Sequence, residues 1–320
     1  EYYCTIFAAA ESPLKEGLLW VGSDDGLVHV TRDGGKNWSN VSPKGMPANM
    51  MNNSVEPSAF DEGTCYVAGT RYKLGDFAPY LYKTTDYGKT WKKITTGIPS
   101  EHFTRVLRED PEKKGLLYAG TETGMYISFD DGKKWESFQL NLPIVPITDL
   151  TIKDNNLIVA TQGRSIWMID DLGMLHQTMS NGGASAKTKL FKPKDTYRMG
   201  GGGRAGSLTS GTNHPAGVMT YFNVADYDKK KDTVSLTYMT MAGDTLQSLS
   251  TGAKESKNKL KVKKVGNLYS WDTRTEGAER LPGMILWWAS LDGPKAVPGN
   301  YKVSLNVNGE VQNQNFKVVA

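Results

Sequence analysis

Thr31-Arg32-Asp33-Gly34-Gly35-Lys36-Asn37-Trp38 returns as Thr84-Thr85-Asp86-Tyr87-Gly88-Lys89-Thr90-Trp91, and again as Ser128-Phe129-Asp130-Asp131-Gly132-Lys133-Lys134-Trp135. Each copy reads Ser/Thr-x-Asp-x-Gly-x-x-Trp. The copies stand roughly fifty residues apart, a period that belongs to a β-propeller built blade by blade. Each residue type in the phrase has a physical task. The carboxylates of Asp33, Asp86 and Asp130 can accept hydrogen bonds from the backbone of a tight turn. Gly35, Gly88 and Gly132 permit a positive φ. Trp38, Trp91 and Trp135 bring a large ring to bury between sheets.

A constant prelude precedes each phrase: Leu19-Trp20-Val21-Gly22-Ser23, Tyr66-Val67-Ala68-Gly69-Thr70 and Leu117-Tyr118-Ala119-Gly120-Thr121. A fourth, Leu157-Ile158-Val159-Ala160-Thr161, leads to Asp170-Asp171, where the phrase has decayed. The pattern predicts four blades over residues 1–185, each with an inner strand A, the prelude as B, a strand C ending at the phrase, and an outer strand D starting at its Trp. Four blades stand at the lower limit for a closed ring. The expectation is an incomplete ring, completed by upstream blades in a parent chain or by a second polypeptide.

A Gly-rich stretch follows, read as a linker over 186–216 and including Gly200-Gly201-Gly202-Gly203. Beyond it, residues 217–320 read as an Ig-like β-sandwich. Its strands are expected at Val218–Phe222, Thr233–Tyr238, Met284–Trp288 and Tyr301–Val307, with Asn308-Gly309 as a hairpin turn. The fold class is therefore all-β, propeller blades followed by a sandwich.

Composition narrows the function classes. The chain has 320 residues, enough for two cores, and a formal net charge of only +4, which is no argument for a nucleic-acid partner. Cys4 and Cys65 are too few for a disulfide framework, and both are expected to be buried thiols. No apolar window is long enough for a transmembrane helix. Residue 1 stands just before an apolar run with no signal peptide, so the sequence reads as cut from something longer. The histidines lack paired spacing and the glycine run lacks the Lys-Ser/Thr of a phosphate loop, so neither a metal nor a cofactor is expected.

The three phrases resemble Asp-box, or BNR, repeats, which occur in sialidases, sortilin-type receptors and tandem-propeller xyloglucan hydrolases. Further stretches are similar to one group within that set. They include Arg71-Tyr72-Lys73-Leu74-Gly75-Asp76, Gly163-Arg164-Ser165-Ile166-Trp167, Tyr269-Ser270-Trp271-Asp272-Thr273-Arg274 and Gly293-Pro294-Lys295-Ala296-Val297-Pro298-Gly299-Asn300-Tyr301. That group comprises large secreted bacterial sortilin-like proteins, often labelled glycosyl hydrolases. The resemblance implies further blades before residue 1 and a secreted, periplasmic or outer cell-surface location. It implies little about activity, because a fold does not carry a reaction. Gln162 stands where such chains often carry His.

The Asp phrases lie at the outer edge of a blade, which directs the search for a site to the opposite, B–C loop face. That face is expected to collect Asp24, Asp25, Asn52, Asn53, Arg71, Tyr72, Lys73, Asp76, His102, Arg105, Glu122, Gln162 and Arg164. The B–C loop of the second blade is expected to be the longest, from Thr70 to Pro79. As ligand-binding candidates we take Arg71, Tyr72, Asp76, Phe77, Arg105, Gln162 and Arg164, because Arg and aromatic residues in loops anchor interfaces. A glycoside hydrolase would need two carboxylates, for which Asp24, Asp76 and Glu122 are the candidates. The preferred expectation is an interaction module for a protein, peptide or glycan. The alternative is a tandem-propeller glycanase whose other half lies upstream.

Overall fold

A computed structural model describes residues 4–179, 187–198, 216–264 and 266–320. The chain divides into two compact units, Glu1–Leu172 and Gly173–Ala320.

The first unit is a row of antiparallel meanders, each made by one sequence period. Blade 1 comprises β1 (Ile6–Glu11), β2 (Leu19–Ser23), β3 (Val28–Thr31) and β4 (Ser39–Asn40). Blade 2 comprises β5 (Met51–Pro57), β6 (Cys65–Arg71), β7 (Asp76–Thr84) and β8 (Lys92–Lys93). Blade 3 comprises β9 (Thr104–Glu109), β10 (Leu117–Thr121), β11 (Gly124–Ser128) and β12 (Glu136–Ser137). Blade 4 has β13 (Ile147–Lys153), β14 (Asn156–Thr161) and β15 (Ile166–Ile169), with no fourth strand among the described residues. The first strands of successive blades touch one another, β1 with β5, β5 with β9 and β9 with β13, as the inner strands of a propeller do.

Burial explains why these strands form. Side chains alternate between the two faces of a blade, and in blades 2 and 3 each face meets a neighbour. Tyr66, Ala68 and Leu81 leave blade 2 on one face and pack with Leu107, Leu117, Ala119 and Tyr126 of blade 3. Val55, Cys65 and Val67 leave it on the other and pack with Trp20, Val28 and Val30 of blade 1. A strand covered on both faces cannot alternate apolar with polar, so the preludes read as continuous apolar runs.

The Asp phrases form three superimposable turns. In the first, Thr31 Oγ1 donates to Asp33 Oδ1 (2.8 Å) and accepts from Gly35 N–H (3.0 Å), while Asn37 N–H donates to Asp33 Oδ1 (2.9 Å). Thr84, Asp86, Gly88 and Thr90 repeat the pattern, as do Ser128, Asp130, Gly132 and Lys134. The backbone of each turn bonds to the A–B turn of its own blade: Gly34 to Gly17, Tyr87 to Gly63 and Asp131 to Gly115. The phrases and the A–B turns therefore share one end of the unit, and the B–C loops occupy the other. In blade 4 Leu172 N–H makes the matching bond to Asn155 O, and Asp171 accepts from Asn155 Nδ2. Ile169 replaces the hydroxyl residue, and the chain passes into α1 (Gly173–Met179) where a D strand would start.

These turns make a pH prediction. Donation from the Asn37 side chain and backbone, with Thr31, holds the Asp33 carboxyl down at about 2. Donation from the Thr90 side chain and backbone holds Asp86 at about 2 as well. Both folded values lie below the ordinary carboxylate value, so the stabilisation is present above about pH 4 and is lost as pH falls towards 2. The melting temperature of the protein should fall over that window. An Asp33→Asn/Asp86→Asn variant should lose part of that slope in thermal melts between pH 2 and 5, and an unchanged slope would refute the assignment.

The second unit contains two sheets around one core. The first sheet is β16 (Lys189–Leu190), β18 (Val218–Asn223) and β21 (Asn267–Trp271). The second holds β17 (Thr196–Tyr197), β23 (Glu310–Val319), β22 (Gly299–Val307), β19 (Val234–Thr240) and β20 (Thr245–Ser250) in that order. Side chains of both sheets share a single apolar cluster, centred on Trp271, which stacks on Tyr238 at 4.6 Å. Asn308 and Gly309 adopt φ of 52° and 99°, the two positive values that a tight hairpin turn requires.

Four expectations are corrected. Lys189–Leu190 and Thr196–Tyr197 are not linker: they pair with β18 and β23, and Leu190 is buried in the core that the two sheets share. Residues 199–215 of the Gly-rich stretch lie outside the described residues. Met284–Trp288 is not a strand but part of a projecting loop, with Ile285, Trp287 and Trp288 exposed. Pro282-Gly283 and Gly293-Pro294 bracket the run, and among the described residues no strand pairs with it. Cys4 is exposed, because it stands two residues ahead of β1 and outside the core of the blade, while Cys65 is buried. Finally, the B–C loop of blade 2 shrinks to Tyr72–Gly75, since Arg71 pairs with Asp76 in the β6–β7 ladder.

Candidate functional site at the open end of blades two and three

The B–C loop of blade 2 and the start of β9 converge at the end opposite the Asp phrases. Three residues after β6 make a single 3-10 turn, Tyr72–Leu74, closed by Gly75 at φ 74°. Arg71 and Asp76 clamp the base of this turn. Arg71 Nη1 reaches Asp76 Oδ2 at 2.8 Å, and its Nε donates to Ala48 O at 3.1 Å. Tyr80 OH donates to the same Asp76 oxygen at 2.7 Å, and Ala78 N–H to the other at 3.1 Å.

The clamp presents two aromatic rings. Tyr72 stacks on Phe103 with centroids 5.3 Å apart, and Phe77 leans on Phe103 at 6.0 Å. Phe103 is buried, whereas Phe77 is 47% exposed, so one ring is the foundation and the other the surface. Arg105, one residue into β9, places its guanidinium 5.3 Å from the Phe103 ring and 5.8 Å from the Tyr72 ring. Glu122, from the β10–β11 turn, holds that guanidinium through Nε (2.7 Å) and Nη2 (2.6 Å). The result is an aromatic ledge with a fixed arginine–carboxylate pair along its edge.

The carboxylates expected for catalysis are already engaged. Partial burial raises the Asp76 carboxyl, but the Tyr80 hydroxyl, the Ala78 N–H and Arg71 together outweigh it and hold the group below the usual range. A depressed carboxyl is a poor proton donor at neutral pH. Glu122 is bound by Arg105, and Asp24 Oδ1 caps the backbone N–H groups of Cys4 and Thr5, both at 2.9 Å.

Several other expected members of the face do different work. Asn52 is buried, its amide donating to Ser23 O and Leu27 O of blade 1. Asp25 accepts from Ser23 Oγ, and His102 Nδ1 lies 2.6 Å from Tyr126 OH. Lys73 is exposed. Gln162 and Arg164 occupy the exposed β14–β15 loop of blade 4, without a hydrogen bond or ion pair to the ledge. Among the described residues no group of three or more His, Cys, Asp or Glu is positioned to hold a metal. None of the helices there is long and apolar enough to cross a membrane.

Two residues escaped the sequence reading. Phe103 carries no motif, and its role follows only from the convergence of two blades. Arg108 lies inside an apolar-looking strand, yet it ties three blades: Nη1 to Ser54 Oγ (2.7 Å) and Glu56 Oε2 (3.4 Å), Nη2 to Asp149 Oδ1 (2.9 Å), and Nε to Leu150 O (2.8 Å). A charged residue directly after Val106-Leu107 in the run Thr104-Arg105-Val106-Leu107-Arg108-Glu109 is the signal that the sequence offers.

No protein-family model matches the chain. An oligoxyloglucan-reducing end-specific xyloglucanase of Emericella nidulans is 25% identical over 108 residues, 33% of this chain and 13% of that protein. A vacuolar protein sorting/targeting protein 10 of Laccaria bicolor is 32% identical over 111 residues, 33% of this chain and 7% of that protein. The chain thus spans only a small part of these relatives. Among solved structures, a GH74 xyloglucanase from Xanthomonas campestris aligns with a TM-score of 0.42 at 14% identity, covering 67% of this chain and 33% of its own. YCF48 bound to D1 peptide aligns with a TM-score of 0.41 at 17% identity, covering 69% and 62%.

Proposed function

We propose that the protein is an extracellular or cell-surface binding module that holds a glycan chain on the ledge formed by Tyr72, Phe77, Phe103, Arg105 and Glu122. The carrying observation is an exposed aromatic ring beside a pre-formed ion pair. Sugar rings present C–H faces that pack on aromatic surfaces, and hydroxyls that bond to charged groups at the edge. Phe77 supplies the first kind of contact, while Arg105 and Glu122 supply the second without further ordering cost. The xyloglucanase names among the curated relatives favour a β-glucan as the first ligand to try.

Binding is favoured over hydrolysis because Asp24, Asp76 and Glu122 each serve a fixed partner. A hydrolase would need one carboxylate kept protonated to donate to the leaving oxygen. Arg71 belongs to the scaffold of the ledge, and Arg164 and Gln162 are candidates for a longer ligand reaching blade 4.

Titration of the protein with xyloglucan oligosaccharides and soluble β-glucans by isothermal calorimetry tests the proposal. A Tyr72→Ala/Phe77→Ala variant should bind at least about tenfold more weakly, since hot-spot aromatics commonly contribute more than 2 kcal/mol. Its melting temperature should change little, because Phe77 is exposed and Phe103 remains. Equal binding by the variant, or no binding of any of these glycans by the unmodified chain, would overturn the glycan reading.

A further inference from the structure

We infer that an arm of the second unit, residues 273–296, anchors the protein to an anionic lipid surface by inserting its apolar tip into the facing leaflet. The two limbs of the arm pair at their base. Ala296 N–H donates to Thr273 O (2.6 Å), Thr275 N–H to Pro294 O (3.0 Å) and Ala278 N–H to Leu291 O (2.9 Å). Two glycines let the limbs close. A Cβ on Gly277 would stand 2.2 Å from Leu291 O, and one on Gly293 would stand 2.3 Å from Thr275 O. Beyond this neck Met284 N–H donates to Leu281 O (3.1 Å), which turns the chain at Pro282-Gly283. The neck thus carries the tip clear of the core that the two sheets share.

The tip has the chemistry of a surface made for hydrocarbon. From Leu281 to Ala289 nine consecutive residues carry no charge, hydroxyl or amide in their side chains, and the indole N–H groups of Trp287 and Trp288 are their only polar atoms able to donate. Ile285 is 80% exposed, Trp287 83%, and Trp288 fully. Leu281 and Leu286 are exposed as well. Monomeric proteins in water seldom gather so many large apolar side chains at one place. An aromatic platform for a sugar needs hydrogen-bonding side chains beside its rings, and this run supplies none. Hydrocarbon asks for none. Nine residues are too few to span a bilayer. They suffice to enter one leaflet, with the indoles at headgroup level where their N–H groups stay wet.

The charges beside the neck choose the lipid. Residues 254–264 hold six lysines, Lys254, Lys257, Lys259, Lys261, Lys263 and Lys264, all exposed, against one acid, Glu255, which pairs with Lys257 at 3.3 Å. This segment meets the arm: Glu255, Lys257 and Asn258 share a cleft of about 580 Å³ with Arg274, Glu276 and Arg280. The charges of the neck itself nearly cancel. Asp272, Glu276, Glu279 and Asp292 stand against Arg274, Arg280 and Lys295, and Arg274 Nε lies 3.7 Å from Asp272. The surplus is the lysine segment. A small apolar anchor gives only marginal membrane binding, and a polybasic patch next to it supplies the second signal that stable binding needs. A tip-to-tip pair of this chain would instead bring two lysine segments together, and like charges oppose that.

Co-sedimentation of the 320-residue chain with vesicles of phosphatidylcholine, alone or mixed with phosphatidylglycerol, tests the proposal. The chain should bind the mixed vesicles at least about tenfold more tightly than the neutral ones. Trp287→Ser/Trp288→Ser should weaken that binding at least about tenfold. Its melting temperature should not change, because both side chains are exposed. Lys257→Gln/Lys259→Gln should lose most of the preference for the anionic lipid. Trp287→Phe/Trp288→Phe keeps an apolar tip and should still bind, but lipid brominated in its acyl chains should quench its fluorescence less than that of the unmodified chain. Absence of binding to either vesicle, equal binding by the serine variant, or equal quenching of the two proteins would overturn the proposal. So would a dimer of the chain in sedimentation that the serine variant dissociates, which would assign the tip to a second copy.

Discussion

Trp135→Ala should lower the stability of the protein by about 3–5 kcal/mol, the usual cost of emptying a buried tryptophan site. Trp135 is 1% exposed and packs among Tyr66, Ala68, Leu81, Ile94 and Leu107 between blades 2 and 3. Its indole N–H also satisfies the Ile94 carbonyl, which would be left without a partner in a buried place. Trp38→Ala, the same substitution in the same phrase, should cost less than about 1 kcal/mol, because an exposed side chain has little to lose. Urea unfolding followed by circular dichroism separates the two. Equal losses would mean that the phrase stabilises its own turn and not the contact between blades.

Arg108→Ala should cost about 3 kcal/mol at pH 8, in the range found when one partner of a poorly solvated ion pair is removed. Burial pushes the Glu56 carboxyl up to about 7, while Arg108 pulls it down. A folded-state value above the unfolded one means that this group favours folding below about pH 4.5, and that the benefit disappears as pH rises through 7. Without Arg108 the ionised Glu56 has lost its cation, so the penalty should be largest in alkali. It should shrink towards pH 5, where Glu56 is protonated in the folded protein. Unfolding curves of the variant at pH 5 and pH 8 provide the check. A loss that does not depend on pH would assign the role of Arg108 to the Ser54 and Leu150 contacts alone.

Both predictions concern contacts between blades; the sequence places the Trp rings between sheets but does not name their partners, and it does not reach Arg108. It did reach the blades themselves. A turn such as Thr31–Trp38 is closed by hydrogen bonds between residues two to four apart, so its chemistry is local and its spelling repeats. The preludes are legible for a related reason: strands covered on both faces must be apolar throughout. The strand expected at Met284–Trp288 fails on the same principle. An apolar run specifies a strand only where another strand accepts its hydrogen bonds, and none does there.

The candidate site divides in the same manner. Arg71, Tyr72, Asp76, Phe77, Arg105 and Glu122 were recognisable as polar or aromatic residues at the loop end of their blades. Which of them meet was not. Arg71 and Asp76 stand five residues apart and neutralise each other, and Arg105 and Glu122 do so across a strand pair. Phe103 joins the ledge because blade 3 is stacked on blade 2, a relation between segments that the sequence does not spell.

By itself, then, the sequence determined the repeating unit, its turns, the end of the row at Asp170-Asp171 and the face where a ligand would be sought. These depend on near neighbours and on period. Only the tertiary structure decided which phrase is finished and which is open. The words around Trp38, Trp91 and Trp135 are nearly the same, yet one indole is exposed, one half-buried and one sealed. The difference is the presence of a preceding blade whose aliphatic residue, Val41 or Ile94, fills the space beside the glycine and whose carbonyl takes the indole proton, and packing of that kind is a property of surfaces brought together.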